Sequence, residues 1–374
     1  MFQYEKIGLG RAILIGLAAL GVIAGIYRLF AGLGATTNLS DAYPWGLWIS
    51  FDVLTGVALA AGGFTISAAI YVFNMKKYEP LLRPAKLSAF VGYLVFIVGL
   101  FFDLGQPWRI WHPMIMWNPH SVLFEVSWCV MLYTTVLAID VFIWTLERWR
   151  KYEWVAFFRS IYVFLIVAGI VLSTLHQSSL GALFLLLPEK MSTLWASPAI
   201  GILFYASAII GGMGMVILES LLSARAYGRK PEMDIISSLA KGLGLALVIY
   251  FAMKVTDLYA RGVAVWGFDW PHLLFYLELF GCVALPALLL YFPEVRTSTR
   301  GLLWSAGLAA FGVMLNRFNV SLTSYGGYRD FWYFPSFIEI ILTVGLVAAA
   351  ILIFDLGMRY LPMYPELTAP AEVH

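Results

Sequence analysis

The sequence predicts an all-α polytopic membrane protein of about ten transmembrane helices. Three observations carry that prediction: 61% of the 374 residues are hydrophobic, only 12% are charged, and the apolar residues gather into ten stretches long enough to cross a bilayer. Such a composition suits a chain surrounded mostly by lipid and excludes a soluble domain. A hydrocarbon core of about 30 Å needs roughly 20 apolar helical residues. Helix is the expected state, because an open strand edge leaves backbone groups unpaired in lipid and these stretches are too continuously apolar for barrel strands.

Spans are expected at 12–33, 47–73, 87–103, 121–146, 158–176, 198–222, 237–256, 271–292, 301–318 and 336–357. The first is too long for a signal-peptide core and has no small-residue cleavage site followed by a soluble segment, so it is expected to be retained. The glycine-rich runs Gly56 to Gly63 and Gly211 to Gly214 suit close helix packing through small residues.

Lysine and arginine orient the bundle, since their excess in short loops marks the cytoplasmic side. Most of the 24 basic residues lie on the even-numbered loops and the termini, from Lys6 and Arg11 through Lys76, Lys86, Arg148, Arg225 and Lys241 to Arg300 and Arg359. Both termini are therefore expected in the cytoplasm of a bacterium, with the chain in its inner membrane. The two cysteines, Cys129 and Cys282, fall inside spans without a CxxC partner and read as packing residues, leaving no ligands for an iron–sulfur cluster or a zinc site.

The outward loops carry the chemistry. They include Asp41 to Trp48, Asp103 to His112, Trp117 to Ser121, His176 to Gly181, Asp257 to Arg261 and Asn316 to Ser321. An aromatic belt at the headgroups accounts for single tryptophans there. It does not account for Asp52, Asp103, Glu125, Lys254, Glu278 and Glu339 just inside the same helix ends. Carboxylates in a membrane are costly, so several together call for partners or a wet cavity. Arg28, Arg109, Lys190, Lys254, Arg261, Arg317 and Arg329 stand on this side, and five of them, Arg109, Lys254, Arg261, Arg317 and Arg329, are the available counter-ions. Lys254 and Asp257 have the spacing of a structural pair on one helix face. Asp140 and Glu219 stand near the opposite ends of their helices, where they face headgroups or line an inner proton path.

A dihaem cytochrome b needs four imidazoles in two axial pairs within a bundle. The five histidines, at 112, 120, 176, 272 and 374, do not supply them, so no haem and no cluster are expected in this chain. A hydrogen-bonding pocket beside proton-exchanging groups suits a quinone, whose ring needs an apolar slot and whose carbonyls need donors. His176 is the best single candidate, expected to end the fifth helix, with Gln177, Ser178 and Ser179 following to hold a carbonyl.

The stretches Tyr43-Pro-Trp-Gly-Leu-Trp48, Phe51-Asp-Val53, Phe102-Asp-Leu-Gly-Gln-Pro-Trp-Arg-Ile-Trp-His-Pro113, Asn118-Pro-His-Ser-Val-Leu-Phe-Glu-Val-Ser-Trp128, Ser173-Thr-Leu-His-Gln-Ser-Ser-Leu-Gly181 and Leu315-Asn-Arg-Phe-Asn-Val320 closely resemble the NrfD-like (polysulfide reductase) membrane subunits. Within that family the chain is most similar to the ten-helix branch that serves nickel–iron hydrogenase-2 and related redox complexes.

The resemblance implies a single membrane domain over 1–374, with a first helix and outer loop at 1–46, four-helix bundles at 47–181 and 182–320, and a last helix and tail at 321–374. It also implies a membrane quinone, menaquinone or ubiquinone, near the outer face. A ferredoxin-like iron–sulfur subunit, expected to accompany a nickel–iron hydrogenase, would dock on the periplasmic side and exchange electrons with it; the expected partners are redox subunits and membrane lipid, with no nucleic acid.

On that resemblance His176, Asp52, Glu125 and Asp103 are the expected catalytic groups, and Trp48, Trp45, Gln177, Ser178, Arg109 and Trp108 the quinone-binding and docking groups. Trp111 shares the docking loop. Such a subunit is not catalytic alone, and its turnover could translocate protons. Two other classes remain open from the residues: a structural anchor without quinone chemistry, and a secondary transporter or channel.

Overall fold

The computed structural model describes residues 8–364 except 42, 44 and 329–332. Lys6, Arg329 and His374 lie outside the described residues. Ten long helices run through the rest: α1 Leu9–Ala31, α2 Trp48–Tyr71, α3 Lys76–Asp103, α4 Val122–Arg148, α5 Tyr162–Leu186, α6 Ile200–Ala226, α7 Met233–Ala260, α8 Trp270–Tyr291, α9 Thr299–Ser321 and α10 Phe337–Tyr360. All but α9 are long and apolar enough to cross a membrane on composition alone. α9 falls short because it buries Asn316, Arg317 and Asn319 against its neighbours. Among the described residues the one β-type pairing is the isolated bridge between Ser40 and Tyr43.

Two boundaries differ from the sequence reading, and polar residues are the reason in both. α3 begins at Lys76 rather than near residue 87, because Arg83 and Lys86, which break the apolar run, point at carboxylates of α4: Arg83 Nη1 donates to Glu147 at 2.8 Å and Lys86 Nζ to Asp140 at 2.8 Å. α5 does not stop at His176. It continues as α-helix to Ala182 and as a 3-10 turn to Leu186, so His176 to Gly181 is helix, not loop. Gln177 and Ser179 are buried there with partners on other helices.

α2 is the central helix. Of its apolar window 72% is buried, against 17% for α1, and it packs on α3, α5, α6 and α9. Lipid offers no hydrophobic drive for helices to associate, so close approach through small residues takes its place. At the α2–α6 crossing a methyl on Gly62 would lie 2.6 Å from Val216 Cγ2 and 3.0 Å from the Gly212 carbonyl oxygen. α1 and α10 cross at Gly21 and Gly345, where a methyl on Gly21 would come within 2.7 Å of Gly345 Cα. The pair leans on α3.

Two helices contain π turns, in which one extra residue per turn widens the backbone. They cover Trp48–Thr55 in α2 and Leu277–Ala284 in α8. Each holds a carboxylate that is at most 1% exposed, Asp52 and Glu278. The basic connections lie together at one end of the bundle, the basic face, where the short helix Tyr152–Ser160 joins α4 to α5. The aromatic loops lie at the other end, the aromatic face.

Candidate functional site

α3 organises the site. Tyr93, Phe96, Gly99 and Asp103 follow one another at helical spacing on one stripe, and each meets a different group. His176 of α5 lies against the first two: its ring centroid is 5.5 Å from those of Tyr93 and Phe96, and Tyr93 in turn stands edge-on to Tyr133 of α4 at 4.8 Å. The imidazole is fully buried. Neither of its nitrogens makes a hydrogen bond among the described residues, while beside it the Tyr93 hydroxyl interacts with the side chains of Ser173 and Gln177. Buried polar atoms without partners are uncommon and costly. Two of them on one imidazole, walled by Tyr93 and Phe96 in an aromatic cage, make His176 the candidate for receiving a polar group. The amide of Gln177 is fixed by donation to the Val57 carbonyl at 2.9 Å, which turns its oxygen toward Tyr93.

One turn further along α3, Gly99 lets Asp52 come close. A methyl there would sit 2.7 Å from Asp52 Cβ. Asp52 Oδ2 accepts from Thr343 Oγ1 of α10 at 2.8 Å, while Oδ1 has no partner among the described residues. Asp103 follows, with its Oδ1 equally unpartnered. Arg28, 2% exposed, is the neighbouring cation, tied to the Phe102 and Leu104 carbonyls at 2.7 and 2.6 Å. Glu339 belongs to the same group: it completes a capping box with Ser336 and accepts from Tyr333 Oη.

The other expected residues are dispersed. Glu125 of α4 accepts from Ser179 Oγ at 2.7 Å, on the cage's outer side. Trp48 is buried and donates to the Glu339 carbonyl at 3.3 Å, so it faces α10 and not His176. Trp45 packs edge-on against Phe184 at 4.6 Å. Ser178 bonds back to the Thr174 carbonyl of its own helix. Trp108 and Arg109 form an exposed 3-10 turn outside the cage, Trp108 being 66% exposed. Asp257 pairs with Arg261 at 2.7 Å, not with Lys254.

Tyr93, Phe96, Ser173 and Thr343 were not singled out from the sequence. The signal for Phe96 was present, since it precedes Asp103 by about two turns of one helix.

The bundle leaves voids elsewhere. A groove of about 830 Å³ opens between α8, α9 and the outer connections, lined chiefly by Trp270, Leu274, Met314, Phe318, Asn319 and Tyr333. A small gap with about 10 Å³ of free room lies between Tyr133 and the Lys86–Asp140 pair. On the basic face a depression of about 530 Å³ reaches Glu219, which accepts from Ser88 Oγ.

Ten helices around a buried, ionisable interior define an integral membrane protein whose core is chemically furnished. The chain belongs to the polysulphide reductase NrfD family, whose model matches residues 35–326. It is 36% identical over 372 residues to a protein of Nitratidesulfovibrio vulgaris, covering 93% of this chain and 92% of that one. It is 32% identical to the probable Ni/Fe-hydrogenase 2 b-type cytochrome subunit of Escherichia coli K12, covering 91% and 89%. The integral membrane subunit of a menaquinone reductase from N. vulgaris is 30% identical, with 91% and 88% covered.

Proposed function

We propose that this chain is the quinone-binding membrane subunit of a respiratory oxidoreductase complex, exchanging electrons between an extrinsic iron–sulfur subunit and the membrane quinone pool. The observation that carries the reading is the His176 cage. It offers a quinone what that molecule needs: aromatic walls from Phe96 and Tyr133, and carbonyl-binding groups from His176 and Tyr93. In this reading His176 gives or takes the proton at the carbonyl oxygen, and Asp52, Asp103 and Glu125 replenish it.

The relatives' names support quinone and redox chemistry, menaquinone for the reductase and hydrogenase for the E. coli protein. The name of the latter also includes a b-type cytochrome. We read no haem into this chain, because among the described residues only His176 is a fully buried histidine within a span, and a bis-imidazole site needs two. The partner is a ferredoxin-like cluster subunit, of a nickel–iron hydrogenase or a sister enzyme, docked on the exposed turn bearing Trp108, Arg109 and Trp111. That face is periplasmic, both termini are cytoplasmic, and the membrane is the inner one. Residues 47–181 and 182–320 form two four-helix bundles, with 1–46 and 321–374 flanking them.

Protons reach the cage from the basic face in this reading. Asp140 and Lys86 stand at one end of the small gap and Tyr133 at the other, next to Tyr93 and His176. Turnover then moves charge across the membrane.

The 830 Å³ groove favours a second reading, in which the headgroup rests against Asn319 and Thr323. Photolabelling the purified complex with an azidoquinone separates the two. Labelled peptides from 93–103 and 169–182 support the cage; labels confined to 314–323 select the groove; no quinone-competable label in this chain rejects the function.

A further inference from the structure

The second polar cluster, between α6, α7, α8 and α9, takes no part in the chemistry above. Its centre is Glu278, in the π turn of α8. Oε2 accepts from Trp195 Nε1 at 3.0 Å and Asn319 Nδ2 at 2.7 Å, and Oε1 accepts from Asn316 Nδ2 at 2.8 Å. A carboxylate has about four acceptor positions, so one on Oε1 stays open. On its inward side is a small chamber with about 10 Å³ of free room, on the order of what one water needs, lined by Ser207, Leu247, Tyr250, Cys282 and Asn316 among others.

On the outward side stands Lys254. It is 3% exposed and has no hydrogen bond or ion pair among the described residues, and the charges acting on it are Glu278, Asp257 and Arg261. A buried ammonium without a partner is costly to keep. The neighbouring charges are all held by other groups. Arg317 donates to Asn316, Ser207 and the Phe204 carbonyl and lies on the Phe204 ring at 3.7 Å. Asp257 accepts from Ser197 at 2.6 Å and from Arg261, which is also tied to the Thr193 and Ala196 carbonyls. Lys254 is thus the one member of this charge array that no hydrogen bond or ion pair holds among the described residues.

Tyr250, Lys254, Asp257 and Arg261 lie at i, i+4, i+7 and i+11, one stripe of α7 running from the chamber to the aromatic face. The side chains of Asp257 and Arg261 are 11% and 18% exposed, which places the outer end of the stripe at the surface.

We propose that this stripe is a proton-exchange site separate from the quinone cage, opening on the aromatic face. A proton from the chamber binds the open position of Glu278 Oε1. It passes to the lone pair of an uncharged Lys254 amine, giving carboxylate and ammonium, and leaves from the ammonium by way of the Asp257 carboxylate to outer water. The step moves one proton and no electrons. It rests on the quinone-subunit reading, because quinone turnover drives it.

The test uses the whole complex in vesicles with a pH dye inside, reduced viologen as electron source and a soluble quinone analogue as acceptor. Lys254→Met and Glu278→Gln are expected to lower protons moved per electron by at least half, while turnover with uncoupler stays within twofold of wild type. Lys254→Arg discriminates further: it keeps the charge and cannot release the proton, so it is expected to fail as Met does, whereas a structural role is rescued by it. Asp257→Asn serves if Lys254→Met does not assemble. A wild-type ratio in Lys254→Arg overturns the proposal, as does a wild-type complex that moves only the protons of quinone chemistry. Absence of uncoupled quinone turnover in wild type rejects the functional reading instead.

Discussion

The imidazole of His176 and the ring of Phe96 meet edge to face, centroids 5.5 Å apart and planes at 79°, with both imidazole nitrogens unpartnered. An apolar contact on one side leaves the nitrogens to be satisfied by something else. His176→Phe fills the same slot without a proton-transferring group. It is expected to lower viologen-to-quinone turnover by about 100-fold, within the range for loss of a general acid–base, with the assembled complex eluting unchanged on gel filtration. Normal turnover in that variant would falsify the assignment.

Gly99 tests the neighbouring group. Gly99→Ala places a methyl 2.7 Å from Asp52 Cβ, and overpacking of this kind costs about 1–3 kcal/mol. The expected outcome is a lower melting temperature together with a raised KM for quinone, since Asp52 must move; an Asp52 spectator would leave KM where it was.

The Lys86–Asp140 pair is 2.8 Å long, with side chains 6% and 3% exposed. Removing one partner strands the other, at a cost of about 3–5 kcal/mol, whereas removing both costs less. Lys86→Met should therefore be less stable than Lys86→Met/Asp140→Asn when the two are compared by thermal unfolding in one detergent. If the pair also feeds protons to the cage, the stable double variant will still turn over slowly.

Gly345→Leu addresses the outermost helices. It wedges α10 from α1 at a contact where a methyl on Gly345 already comes within 2.4 Å of Gly21 Cα. Crosslinking between cysteines placed on the two helices should fall by more than tenfold. The His176 cage, on α3 and α5, should keep its activity.

Asp269 caps α8, accepting from the His272 backbone N–H at 3.1 Å and pairing with the His272 ring. That hydrogen bond holds the Asp269 carboxyl below its ordinary 3.8. The sign follows: the cap is in place above pH 4 and is lost as acid protonates the carboxylate below it. Wild type and Asp269→Asn should therefore differ in stability at pH 5 and converge at about pH 3; a difference that is as large at pH 3 as at pH 5 would refute it.

The spans were legible in sequence wherever a helix meets lipid. They were least legible where a helix meets protein. Lys86, Gln177 and Arg317 interrupt apolar runs, yet all are buried, because Asp140, the Val57 carbonyl and Ser207 await them on other helices. A single chain does not announce such partners. The site was half legible for the same reason: His176 and Asp52 are chemically conspicuous, while Tyr93 and Thr343 gain meaning only from what they face. Trp48 packs on α10, and a tryptophan near a helix end fits a binding site and a packing seam equally well.

The widened turns of α2 have a consequence for register. A continuous α-helix advances about 100° per residue, and the wider turns of Trp48–Thr55 take up a surplus residue while the segments on either side stay in phase. Deleting a single residue there would let the helix tighten with both halves still seated, closing the widened backbone around Asp52 like a collar drawn in.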